Sequence, residues 1–178
     1  MLRLFAGISL PVLLRQRLTL LESATPGARW IKRENYHITL TFIGDIAEGT
    51  AEDMDEAFEA LRAKRFKLRL KGAGCFAHHG DNKMLWIGVE ESEPLQRLKD
   101  KIDRRLQVYK IPFEKRKYVP HVTVARLHNV DDARIAEFIQ ANNLFSSEEF
   151  EVDSFILYQS HLTKHGSEYE ELKDYPLI

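Results

Sequence analysis

The sequence predicts an α+β fold of two pseudo-symmetric lobes, each a largely antiparallel sheet backed by helices, with an active-site cleft between them. Three observations lead there. Segments recur in the same order at a nearly constant offset, they alternate between strand-like and helix-like periodicity, and each half carries one His-x-Thr strand. The expected organisation of residues 1–178 is therefore a single domain built from two similar halves, about 1–80 and 81–178.

The first strand is Leu4-Phe5-Ala6-Gly7-Ile8, answered 81 positions later by Leu85-Trp86-Ile87-Gly88-Val89. Pro11 then opens a helix over Val12 to Glu22, and Pro94 opens one over Leu95 to Gln107, where Leu95, Leu98, Ile102 and Leu106 recur at helical spacing. Next come basic pairs, Lys32-Arg33 and Arg116-Lys117, each placed just before a histidine. His37-Ile38-Thr39-Leu40 and His121-Val122-Thr123-Val124 stand 84 positions apart, and helices are expected after them over Ala51 to Arg62 and Asp131 to Ala141. Phe66 to Leu70 and Phe150 to Asp153 close the halves, alternating as half-exposed strands do.

Composition excludes several classes. With 26 Lys+Arg against 27 Asp+Glu, the chain is not a generally basic nucleic-acid binder, so an anionic substrate must be drawn by a local patch. Cys75 is the single cysteine, which rules out an intrachain disulfide and a cysteine zinc cluster and fits a reducing cytosol. It reads as a small buried residue rather than a nucleophile. The apolar run Leu4 to Leu14 reads as strand and helix rather than a secretory signal, since Gly7 and Pro11 interrupt it. No stretch reaches the roughly 18 consecutive apolar residues of a membrane span.

The chemistry sits in the repeated motif. Along an extended strand, residues two apart share a face, so His37 points with Thr39 and His121 with Thr123, while Tyr36, Ile38, Leu40 and Phe42 are free to enter the core. Two imidazoles across one cleft suit a reaction in which one proton is removed and another supplied, as when water opens a cyclic phosphodiester. The hydroxyls of Thr39 and Thr123 and the guanidinium of Arg126 suit the charge that gathers on the phosphate oxygens. Seven His and seven Thr in this length give about 0.3 chance occurrences of His-x-Thr, so two in matching positions exceed accident. Strict alternation puts Arg126 on the face opposite His121, so the strand must bulge, twist or end before it.

Tyr36-His37-Ile38-Thr39-Leu40-Thr41-Phe42-Ile43-Gly44 and Pro120-His121-Val122-Thr123-Val124-Ala125-Arg126 resemble the paired motifs of the 2H phosphoesterase superfamily. Arg3 to Ile8 and Leu157 to Leu162 resemble its RNA 2′,3′-cyclic phosphodiesterases, also called 2′-5′ RNA ligases. The resemblance implies opening of a terminal 2′,3′-cyclic phosphate to a 2′-phosphate, with His37 as proton donor, His121 as proton acceptor, and Thr39, Thr123 and Arg126 on the phosphate. Reversible ATP-independent 2′-5′ ligation, or another nucleotide phosphodiesterase activity, uses the same site; a non-catalytic RNA-binding module has no need of the His pair. No cofactor or metal is expected, the partner is RNA with a 2′,3′-cyclic phosphate end, and a cytoplasmic monomer without membrane or obligate protein partner is anticipated.

Other groups carry weaker signals. His78-His79 with Asp81, and His161 with His165, lie beside Gly80 and Gly166 in expected turns and lack metal-ligand spacing. Lys32-Arg33 and Lys115-Arg116-Lys117 are placed to rim the cleft and attract RNA phosphates. Tyr36, Tyr118 and Phe42 are candidates to stack a base, with core packing the expected role of Phe42.

Overall fold

A computed structural model of the chain describes residues 1–77 and 79–178. Among the described residues, three antiparallel sheets and four α-helices make up an α+β fold. The first sheet has the order β10 (Gly166–Pro176), β9 (Ser154–Thr163), β1 (Leu2–Ser9), β3 (His37–Ile46). The second has the order β2 (Ala28–Trp30), β7 (His121–His128), β6 (Asn82–Val89), β5 (Leu70–Ala77). A two-stranded ladder joins β4 (Phe66–Leu68) to β8 (Phe150–Val152). The sequence halves are therefore interleaved: β5 leaves its own half to pair with β6, and β9 pairs with β1.

Helices α1 (Val12–Thr19), α2 (Glu48–Glu59), α3 (Glu93–Val108) and α4 (Asp132–Asn142) occupy the four expected places with shifted ends. Ser92 caps α3 by accepting from the Leu95 amide, and Pro94 fills its first turn, where a missing N–H is harmless. Its stripe Leu95, Leu98, Ile102 and Leu106 is buried as the periodicity requires. Asp131 caps α4 through the Ala133 amide. By contrast α2 starts and stops three residues before the expected segment, and its N-cap Ala47 makes no side-chain bond.

Ile38 and Leu40 from β3 and Val122 and Val124 from β7 enter one continuous core with side chains from all four helices. Burying each is worth roughly 1.5 to 3 kcal/mol. That burial fixes the strand register, so the alternate residues His37, Thr39, His121 and Thr123 must face outward, half-buried. β3 packs against β7, and the two sheets meet there.

Both strands carry a bulge at the matching place, and β3 skips a second residue, Ile43, between Phe42 and Gly44. In β3, Gly7 lies opposite Thr39 and Ala6 opposite Thr41, leaving Leu40 as an extra residue. In β7, Trp86 lies opposite Thr123 and Leu85 opposite Ala125, leaving Val124 extra. Each of the two matching bulges buries two consecutive residues, Leu40 and Thr41 or Val124 and Ala125, and reverses the phase beyond them.

Candidate active site

The bulge settles where Arg126 goes. It restores Arg126 to the face of His121 and Thr123, half-buried. The same reversal corrects the expectation for Phe42, which leaves the core and joins Phe5, Ile156, Tyr158 and Tyr169 in a separate apolar cluster. There the Arg3 guanidinium lies 5.2 Å from the Phe42 ring centre. Tyr36 keeps to the core, 1% exposed, and is closed to a base.

Each histidine is anchored by the backbone that leads into its strand. A 3-10 turn, Arg33–Asn35, presents the Asn35 carbonyl 2.7 Å from His37 Nδ1. Ahead of β7, the Val119 carbonyl lies 2.7 Å from His121 Nδ1. A carbonyl only accepts, so Nδ1 carries the hydrogen in both rings and Nε2 is the nitrogen that gains or loses a proton. His37 Nε2 lies 3.0 Å from the Thr39 hydroxyl.

The two surroundings differ. His37 is packed by Phe5, Tyr158 and, edge-on at 5.0 Å, Tyr169. Burial pushes its pKa from 6.5 to about 4; the Asn35 carbonyl opposes this, and the charges of His121, Arg126 and Arg15 add to it. Those charges also mean that His121 and Arg126 stand within electrostatic reach of His37. His121 meets the edge of Phe76 at 4.9 Å and, more distantly, Trp86. Its pKa too is lowered, by burial first, with the Val119 carbonyl raising it and Arg116 lowering it. Trp86 lies flat on Gly74, where a Cβ would sit 2.2 Å from the indole.

Behind the His37 strand sits a buried polar group. Thr41, turned inward by the bulge, donates to Asp103 at 2.6 Å, and Lys99 donates to Asp103 at 2.5 Å. The Lys99 ammonium also lies 5.4 Å from the ring of Tyr118, whose hydroxyl donates to the Thr39 carbonyl at 3.0 Å. Tyr118 therefore ties the strands together with its hydroxyl engaged by backbone.

Sequence reasoning missed Arg15, whose guanidinium donates to the Leu10 carbonyl at 2.9 Å and to Ser9, the residue paired with His37 across β1 and β3. It also missed Tyr169; neither residue belongs to a motif, and both arrive through tertiary pairing. Of the basic clusters, Arg33 pairs with Glu34 and Arg116 with Glu114, while Lys32 reaches Glu168 at 3.6 Å. Cys75 is half-buried, its thiol pushed up by burial. His78 lies outside the described residues; His161 bonds Glu170 at 2.9 Å, and no group of three or more metal-ligating side chains exists among the described residues. A cavity of about 320 Å³ between α4 and the Leu21 to Ala28 stretch is lined by none of the predicted site residues.

Residues 13–164 match the family model of the 2′-5′ RNA ligase superfamily. Over 176 residues the chain is 31% identical to the RNA 2′,3′-cyclic phosphodiesterase of Archaeoglobus fulgidus, covering 97% of this chain and 98% of that protein. It is 32% identical over 144 residues to the protein of the same name from Aeropyrum pernix, covering 80% and 82%. In fold it is similar to E. coli LigT in apo form, with a TM-score of 0.80 at 22% identity over 99% of this chain and 98% of that one. TT0787 of Thermus thermophilus superposes with a TM-score of 0.79 at 23% identity, over 98% and 97%. By the span of the family match and the identity to its relatives, the chain belongs to the 2′-5′ RNA ligase superfamily.

Proposed function

We propose that this enzyme hydrolyses the 2′,3′-cyclic phosphate at RNA ends to a 2′-phosphomonoester, with His37 as general acid and His121 as general base. The observation that carries the reading is the matched anchoring of the two imidazoles, each held at Nδ1 by a carbonyl two residues earlier and left to titrate at Nε2. His121 Nε2 takes a proton from water as its oxygen bonds phosphorus. His37 Nε2 gives one to the 3′ oxygen as the P–O3′ bond breaks. Thr39, Thr123 and Arg126 hold the non-bridging oxygens as their charge grows.

The proton inventory follows from burial. An empty site keeps His37 neutral above about pH 4, with Nε2 accepting from Thr39. An arriving phosphate anion favours the imidazolium, so substrate and proton enter together. Once protonated, His37 no longer accepts from Thr39, and that hydroxyl turns to the phosphate.

With a 5′-hydroxyl in place of water, the same attack on phosphorus breaks P–O3′ and forms a 2′-5′ linkage without ATP, which accords with the name of the superfamily. The same reading takes residues 1–178 as one domain of two related halves, supported by bulges at Leu40 and Val124 in matching places. It takes the protein as a cytoplasmic monomer acting without metal, cofactor or protein partner; among the described residues, no helix is long and apolar enough to cross a membrane. Incubation of a 2′,3′-cyclic-ended oligonucleotide in excess EDTA tests the core of this. A 2′-phosphate product is expected; a 3′-phosphate, or activity restored only by a divalent ion, would refute the mechanism.

A further inference from the structure

A second cavity of about 170 Å³ opens between β2 and the start of β10. Arg29, Lys32, Asn35, Arg126, Ser167 and Tyr169 are among its walls. It is continuous with the site on two sides. Asn35 supplies the carbonyl that anchors His37 and spans to β10 through its amide, which donates to the Ser167 carbonyl at 2.9 Å. Tyr169 presents its ring to the His37 imidazole, and Arg126 belongs to both places.

The charge is unbalanced. Lys32 pairs loosely with Glu168 at 3.6 Å, whereas among the described residues neither Arg29 nor Arg126 forms a salt bridge. Gly166, at φ +117°, brings the β9–β10 turn against Arg29: a Cβ there would lie 3.6 Å from the guanidinium carbon. The turn thus lies in van der Waals contact with the Arg29 guanidinium at the cavity wall. A volume well under the roughly 300 Å³ at which small-molecule pockets begin suits one group of a longer chain rather than a free nucleotide. Arg29 and Arg126 are direct partners across the antiparallel β2–β7 pair, so their side chains share one face, and two guanidiniums without a salt bridge among the described residues line one cavity, which suits a second phosphate beside the reacting one.

We propose that this cavity holds the first internucleotide phosphate of the RNA, and that Arg29 makes the enzyme prefer an oligonucleotide end over a free cyclic nucleotide. The inference rests on the phosphodiesterase reading. Arg126 serves the reacting phosphate, and Arg29 serves the phosphodiester one nucleotide upstream.

The test compares kcat/KM for adenosine 2′,3′-cyclic phosphate, which lacks an internucleotide phosphate, with that for adenylyl-adenosine ending in a 2′,3′-cyclic phosphate. Wild type should favour the dinucleotide. Arg29→Ala should lower that preference about 10- to 100-fold, mainly through KM, the effect expected for one charge-assisted contact. Arg29 is exposed on a short edge strand, so the fold should be unaffected, and Arg29→Lys should keep part of the preference. A neutral methylphosphonate at the internucleotide linkage should cost wild type a similar factor and cost Arg29→Ala nothing further. An unchanged preference in Arg29→Ala, or equal losses from methylphosphonate in both proteins, overturns the subsite. If wild type opens neither substrate, the phosphodiesterase reading itself falls and the subsite with it.

Discussion

His37 and His121 are held by the same backbone device in different company. In each wall a carbonyl two residues upstream fixes Nδ1, and a bulge three residues downstream reverses the strand's phase. Beyond the bulge the walls part. The His37 strand continues with Thr41 and Phe42, the first bonded inward to Asp103 and the second in an aromatic cluster. The His121 strand continues with buried Ala125 and with Arg126, turned to the cleft. Backbone geometry decides which nitrogen titrates, and the side chains around it decide how readily it holds a proton; on the proposed function they also decide which wall grips an anion.

The largest effects test the division of labour between the walls. His37→Ala and His121→Ala should each lower kcat on the order of 10²- to 10⁴-fold, the usual contribution of general acid or base catalysis. An activated leaving group needs little proton donation, so it should rescue His37→Ala and leave His121→Ala impaired. Equal rescue would abolish the assignment of acid and base. Near-wild-type turnover in either variant would abolish the two-histidine mechanism.

Stability separates the walls next. Lys99 is 7% exposed and paired with Asp103 behind the His37 strand, where removal of one partner strands a charge. Lys99→Met should destabilise by about 3 to 5 kcal/mol in urea unfolding. Thr41→Ala, which gives β3 the residue that β7 has at Ala125, leaves the ion pair intact and should cost about 1 kcal/mol. A Lys99→Met protein as stable as wild type would mean that the pair is solvated in solution.

The legible parts of the fold were those with local signatures. Both His-x-Thr strands, the Pro-opened helices and the closing strands β4 and β8 announce themselves through spacing or punctuation. β5, with Gly72 and Gly74, lacks a clean strand pattern, and the pairing of β9 with β1 is settled by contacts between distant segments rather than by either segment alone. The bulges were half legible. Arg126 exposed the conflict because its expected place on the phosphate and strict alternation put it on opposite faces of the strand, whereas an apolar Phe42 fits either face and gave no warning. Arg15, Arg29 and Tyr169 belong to no motif; they reach the site because α1, β2 and β10 fold back on it.

The contrast in burial should appear as a contrast in acid stability. Folding lowers the pKa of His37 from 6.5 to about 4, so the unfolded chain binds more protons than the native one between those values. Native stability is therefore full above pH 6.5 and declines as pH falls toward 4, by on the order of 3 kcal/mol from this residue. His37→Phe should flatten urea-unfolding free energies between pH 7 and 4.5, and His121→Phe should flatten them less. Equal flattening by both would show that the aromatic packing around His37 does not set it apart.

The smallest expected effect compares the residues that follow the bulges. On the proposed function Arg126→Ala removes one charge-assisted contact to the phosphate and should lower kcat/KM by about 1.5 to 3 kcal/mol in transition-state binding, or roughly 10- to 100-fold. Phe42 occupies the same position in the other wall but contributes packing, with Arg3 stacked on its outer side. Phe42→Leu keeps an apolar side chain there, so it should change kcat/KM by less than about threefold, within the range of a volume-conserving swap. The reciprocal replacement is sharper. Phe42→Arg places a second guanidinium on the His37 wall beside Arg3, and its charge should further disfavour the imidazolium at His37, lowering the alkaline limb of the pH–rate profile. A loss from Phe42→Leu as large as that from Arg126→Ala would mean that both walls touch the phosphate equally, and the division between a proton-donating wall and an anion-gripping wall would not hold.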